Sequence, residues 1–133
     1  MNVAKSKAAA EAAGAIVLTT DDERYPPLLR SIYDPPAQLY VRGDPAVLLE
    51  AQLAVVGSRR ASPAGMRLAQ TLSGELVKAG LHICSGLAVG VDGAAHLGAL
   101  DTNGKSVAVM TSHFASASGT SPSLSPHTGT QSL

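Results

Sequence analysis

The sequence predicts an α/β fold, a parallel sheet with flanking helices, carried by residues 51–110. Three observations predict it. Residues 53–56 and 81–84 are short apolar runs of the kind that form strands buried on both faces. Each runs into a glycine-containing turn and then a helical stretch. A third extended run, residues 106–110, follows the second helix. Strand–helix–strand–helix–strand order implies right-handed crossovers and parallel pairing.

The elements follow in order. Residues 4–13 form an alanine-rich helix stopped by Gly14. Residues 15–18 are extended. Residues 24–36 are rich in turns, with Tyr25-Pro26-Pro27 and Asp34-Pro35-Pro36 on either side of one helical turn. Residues 38–41 alternate as a short strand ended by Gly43, and Pro45 opens a short helix up to Glu50. After strand 53–56, Ser62 is placed to N-cap a helix whose first residue is Pro63. Ala69, Leu72, Leu76 and Ala79 make its apolar face, and Gly80 ends it. Strand 81–84 leads through a second turn to helix 92–100, with Ala95 and Ala99 on one face, and then to strand 106–110. From Thr111 the chain is Ser-, Thr-, Pro- and Gly-rich without periodicity, so residues 111–133 are expected to be disordered. The expected division is 1–50 as lead-in, 51–110 as core and 111–133 as tail.

Composition narrows the function classes. The chain has 133 residues, room for one domain, and 45% are hydrophobic. There is no Trp and a single Phe, so the core must be built from Ala, Val, Leu and Ile. A formal net charge of zero means that any nucleic-acid binding comes from a local patch. The lone Cys84 excludes an intrachain disulfide, fits a reducing compartment and reads as a buried, inert thiol. No apolar run approaches the ~20 residues of a membrane span. The N-terminal residues lack the apolar stretch of a signal peptide. A cytoplasmic protein with no membrane partner is expected.

Chemistry concentrates in the two turns. Gly57-Ser58-Arg59 lies between a strand and a helix N-terminus, where backbone N–H groups and a guanidinium converge on one point and favour an anion. Ser62 and Gly65 open the helix that follows. Ser85, Gly86 and Gly90 form the second turn, at the strand end where open α/β sheets bind ligands. Spacing alone leaves Arg59 open between an anion ligand and a surface partner for Asp92. Asp92 is expected to cap its helix or orient Arg59 in preference to touching a ligand directly. Asp92 and His96 lie four apart on one helix face, a spacing that suits a metal, but no further ligand cluster accompanies them and no metal is expected. The glycines do not follow G-x-G-x-x-G spacing, so neither a dinucleotide nor any other cofactor is expected. His113 and His127 receive no role.

Several blocks, in the right order and spacing, are similar to the DNA-processing protein A family, also called DprA or Smf. They are Tyr25-Pro26-Pro27-Leu28-Leu29, Ile32-Tyr33-Asp34-Pro35-Pro36 and Leu39-Tyr40; Ala54-Val55-Val56-Gly57-Ser58-Arg59 with Ser62 and Gly65; Ser85-Gly86-Leu87-Ala88 with Gly90-Val91-Asp92, Ala95-His96 and Ala99-Leu100; and Ser106-Val107-Ala108-Val109. The resemblance covers about residues 14–110. It implies a Rossmann-like domain that binds single-stranded DNA in natural transformation, hands the strand to the RecA recombinase, forms a homodimer and catalyses no reaction. Carried onto this chain, it implies phosphate contacts at Gly57, Ser58, Arg59, Ser62, Gly65, Ser85, Gly86 and Gly90, with Asp92 and His96 orienting or structural.

Three departures stand out. Ala64 occupies a position where the family usually has Tyr. From Thr111 onward nothing resembles the family's Gly-rich turn and Tyr-Pro segment, which leaves the Rossmann-like sheet incomplete on its C-terminal side. The N-terminal helical domain is reduced to residues 1–13. These features look like a truncated or frameshifted product. Two alternative functions are an inactive truncated chain and a nucleotide-binding enzyme akin to LOG-like phosphoribohydrolases, although their Pro-Gly-Gly-x-Gly-Thr motif is absent.

Overall fold

A computed structural model describes the backbone of residues 3–110 and their side chains from Lys7 onward. The expectation for residues 111–133 lies outside the described residues. The chain divides between Leu49 and Glu50 into two compact units.

The first unit opens with helix α1 (Val3–Ala12) and strand β1 (Ile16–Thr19). A short helix α2 (Pro27–Arg30) precedes strand β2 (Gln38–Val41), and a 3-10 helix (Pro45–Leu49) closes the unit. β1 and β2 pair antiparallel, Ile16 opposite Val41 and Thr19 opposite Gln38. Their pairing encloses a small core in which Ala10, Ala15, Leu18 and Tyr25 are buried. The Tyr25 hydroxyl donates to the Pro36 carbonyl at 2.7 Å, so the first proline-rich turn is tied to the second. Arg24 grips Asp22 through Nε and Nη2 at 2.9 and 2.7 Å, which pulls the Asp22 carboxyl down to about 2. Asp44 Oδ1 accepts from the Ala46 N–H at 2.9 Å and caps the 3-10 helix.

The second unit is strand β3 (Gln52–Ala54), helix α3 (Pro63–Lys78), strand β4 (His82–Ser85), helix α4 (Val91–Asp101) and strand β5 (Ser106–Ala108). The strands form a parallel sheet in the order β3-β4-β5, with Leu53 beside Ile83 and Cys84 beside Val107. Ile83 is wholly buried, and Ala95 and Ala99 of α4 and Leu76 and Val77 of α3 pack around it. Both helices therefore cover the same face. Burying Ile83 contributes roughly 1.5–3 kcal/mol.

This corrects the expectation that the strands are covered on both faces. β4 is central and alternates half-buried with buried residues, while Leu53 and Ala108 of the outer strands are exposed. The ladder also ends sooner than the apolar runs do. Val55 N–H still donates to Cys84 O at 2.9 Å, but Val56 is exposed.

Helix α3 starts as the sequence predicts. Ser62 is extended (φ −65°, ψ 157°), its Oγ accepts from Gly65 N–H at 3.1 Å, and Pro63 opens the helix. Both helices of this unit end in paired reverse bonds. Gly80 N–H reaches Val77 O and Leu81 N–H reaches Leu76 O after α3; Asn103 N–H reaches Leu100 O and Gly104 N–H reaches Ala99 O after α4.

The buried face of α3 is rotated from the expected one. Ala69, Ser73 and Gly74 are buried and Leu76 is half-buried, whereas Leu72 is 49% exposed and Ala79 is exposed. The cause is the packing partner. α4 comes so close that a Cβ on Gly98 would collide with the Gln70 carbonyl oxygen and lie 2.8 Å from its carbon. Gly74 faces Thr102 and the Gly98 carbonyl. Backbone-to-backbone contact through glycines draws the contact line onto the smallest residues of α3 and leaves larger ones outside. Gln70 Nε2 adds a bond to Asp101 Oδ2 at 2.7 Å.

That contact cannot absorb a methyl group without separating the helices. Gly98→Ala is expected to destabilise the protein by about 1–3 kcal/mol, despite alanine's better helix propensity. Chemical denaturation of the two proteins would measure this, and equal stabilities would show that α3 and α4 can slide apart freely.

Candidate nucleic-acid interface

Parallel pairing of β3 and β4 places both following turns at the same end of the sheet. They touch. Val91 N–H donates to Ser58 O at 3.1 Å. Gly90 has φ +90°, a conformation that side chains resist, and a Cβ there would overlap Ser58 O and stand 2.8 Å from Arg59 Cα. A Cβ on Gly57 would lie 2.8 Å from the Val91 side chain. Two loops from separate strand–helix units thus become one surface.

The expected site residues fall into two groups. Gly57, Ser58, Arg59, Ser62 and Gly86 are exposed. The N–H groups of Gly57, Ser58 and Arg59 make no hydrogen bond among the described residues, and neither does the Arg59 guanidinium. Ser58 Oγ accepts from Arg60 N–H at 3.0 Å, which holds the turn open toward solvent. Gly65 is half-buried, and its N–H is engaged by the Ser62 cap. Ser85 is only 3% exposed and donates to Val55 O at 2.6 Å, which ties β4 to the end of β3. Gly90 is buried beneath Ser58 and Arg59.

Asp92 is buried, and its Oδ2 accepts from Gly86 N–H at 3.1 Å. It neither caps α4, whose N-cap is Gly90 without a side-chain bond, nor bonds Arg59 among the described residues. Its role is to brace the second turn. The negative charge faces inward, near the N-terminus of α4, where the helix dipole favours it.

His96 is buried with its Nδ1 2.6 Å from Ser106 Oγ. Ser106 Oγ donates to the Ile83 carbonyl at 3.2 Å, so it accepts from His96 Nδ1–H. The bare Nε2 has no partner among the described residues. His96 therefore fastens α4 to β5 and β4 from inside. No group of three or more His, Cys, Asp or Glu among the described residues could hold a metal. Cys84 is half-buried, and burial pushes its thiol up, away from reactivity.

Sequence reasoning passed over Arg60 and Arg67. Both are exposed, and residues 57–67 contain three arginines and no acid. The signal was present as a local charge run that the neutral whole-chain sum conceals.

The sequence model of a family described as DNA recombination-mediator protein A matches residues 16–122. That range runs past Met110, where the resemblance read from motifs was expected to end. Protein Smf of Escherichia coli is 45% identical over 94 residues, covering 71% of this chain and 25% of that protein. DNA processing protein DprA of Bacillus subtilis is 33% identical over 102 residues, 76% of this chain and 34% of its own length. The chain thus spans between a quarter and about a third of these relatives. Among solved structures, DNA processing protein A from Streptococcus pneumoniae superposes with a TM-score of 0.69 at 38% identity, over 72% of this chain and 34% of that one. The Helicobacter pylori protein, whose structure concerns its single-stranded DNA binding mode, superposes at 0.59 and 32% identity, over 71% and 42%.

The His96 contact carries a pH signature. Burial holds its imidazole below the ordinary 6.5, and the neighbouring Asp92 carboxylate opposes this more weakly. The unfolded chain binds a proton near its ordinary value while the folded chain resists, so the stabilising contribution is complete above about 6.5 and is lost as pH falls through the lowered folded value. Melting temperature should therefore decline on acidification from about pH 7.5 to about pH 5, and His96→Gln should flatten that decline. Parallel curves for the two proteins would remove His96 as its source.

Proposed function

The chain belongs to the DNA recombination-mediator protein A family, and on that premise we propose that residues 50–110 bind single-stranded DNA through its phosphates. The observation that carries the reading is the exposed turn Gly57-Ser58-Arg59. It offers three N–H groups and a guanidinium without partners among the described residues, beside the N-terminus of a 16-residue helix. A phosphate suits such a turn because helix-terminal N–H groups and a bidentate arginine reinforce each other in charge and direction. Arg60 and Arg67 extend the positive field along the strand. Ser62 and Gly65 shape the helix end, and Ser85, Gly90 and Asp92 support the two turns from beneath, with Gly86 exposed beside them.

The broader role is part of the same proposal. The protein acts in the cytoplasm in DNA processing during transformation, handing the strand to RecA, as a homodimer and without catalysing a reaction. The family match, the named relatives and the Helicobacter pylori structure support the DNA-processing part of this reading.

Phosphate contacts position a strand without reading its sequence. Arg59→Ala should weaken oligonucleotide binding about tenfold at low salt, equally for different sequences, since a hydrogen bond to a charged group contributes about 1.5–3 kcal/mol. The log–log salt slope should fall by about 0.7, the share of one phosphate on a single strand. Anisotropy titrations across a salt series test both. An unchanged dissociation constant would remove Arg59 from the site.

A further inference from the structure

The second turn carries a feature that phosphate binding does not use. Leu87 has φ +58°. For a branched side chain the left-handed region costs roughly 1–2 kcal/mol, and glycine would sit there without that cost. Burial does not offset it, because Leu87 is 55% exposed. Val89, two residues on, is 73% exposed. A strained apolar residue held out into water is the pattern found at binding surfaces.

The turn cannot relax to hide these side chains. Gly86 N–H is held by Asp92, Gly93 N–H donates to Ala88 O at 3.0 Å, and Val91 N–H is tied to Ser58. Gly90 is wedged against Arg59. Leu87 and Val89 are therefore presented on a braced loop. They share one end of the sheet with the arginine turn, and Val109, also exposed, lies beside Gly86.

We propose that Leu87 and Val89 form an apolar seat for a nucleobase of the strand whose phosphate lies at Arg59. The proposal rests on the single-stranded DNA reading and adds a second kind of contact to it. The occupant follows from continuity. A nucleotide with its phosphate on Gly57-Ser58-Arg59 places its base within the reach of one nucleotide, and the neighbouring surface is aliphatic. Bases bring flat apolar faces to protein surfaces whatever their sequence. Aromatic side chains usually receive them, but residues 50–110 contain no Phe, Tyr or Trp, and the exposed apolar side chains of this loop are Leu87 and Val89.

The test compares a thymidine oligonucleotide with an abasic sugar–phosphate strand of equal length, by anisotropy on the full chain at low salt. The wild-type protein should bind the thymidine strand about fivefold more tightly, the lower end of what base contacts contribute. Leu87→Gly and Val89→Ser should bring that ratio close to one while leaving abasic binding unchanged. Leu87→Gly relieves the left-handed strain, so its melting temperature should not fall, and lost affinity cannot be assigned to unfolding. Arg59→Ala should weaken both strands alike. Equal wild-type affinity for the two strands overturns the base seat while leaving the phosphate site standing, as does a wild-type ratio in both loop variants. Failure of the wild-type chain to bind either strand overturns the DNA reading and the seat with it.

Discussion

The contact between Gly90 and the backbone of Ser58 and Arg59 is the constraint on which the candidate interface depends. A strand–helix turn by itself makes a small anion site. Joining two of them brings their backbones into contact, here at a residue without a Cβ whose following N–H meets a carbonyl. Gly90 and the Val91–Ser58 bond supply both. The alignment is set further down the sheet. Ala54 pairs with Cys84, so each chain leaves its ladder at the same level and turns toward the other.

Polar groups around this junction are sorted by function. Ser85, Ser62 and Asp92 each bond to the backbone, at Val55, Gly65 and Gly86. Among the described residues, the groups left without partners include the Arg59 and Arg60 guanidinium groups and the N–H groups of Gly57, Ser58 and Arg59. The arrangement separates charge within a neutral chain. The one carboxylate in the second turn is buried and braced, while the arginines of residues 57–67 face solvent. Local sign, rather than the total, decides what such a surface attracts.

Local signals in the sequence were legible because they act through the chain itself. Ser62-Pro63 announced the start of α3, Gly80 its end, and residues 81–84 the central strand, since capping and strand burial need only neighbours in sequence. Contacts between elements were not legible. Periodicity identifies an apolar face on α3 but not the direction from which α4 arrives, so Leu72 was placed inwards when Gly74 and Ser73 hold that position. Glycines in the turns posed the same ambiguity. A glycine that admits a ligand and a glycine that admits another backbone are identical in sequence. Gly57 is exposed and Gly90 is buried, although both were read as phosphate contacts. Ser85 likewise looked available until the fold placed Val55 above it.

The two ends of the sheet now differ in a physically consistent way. At the end where the strands begin, Glu50 bridges His82 and Lys105, and the His82 bond holds the Glu50 carboxyl below its ordinary range. Helices α3 and α4 finish there with their last carbonyls bonded by Leu81 and Gly104. Charge is paired and backbone groups are satisfied at that end, as stability demands. At the opposite end a leucine is strained, valines are exposed and an arginine has no partner among the described residues. The strained leucine costs stability, and it lies with the exposed valines and Arg59 where open α/β sheets place their ligands. On the proposed reading, the arginine turn would meet negative phosphates and the loop beside it flat apolar bases.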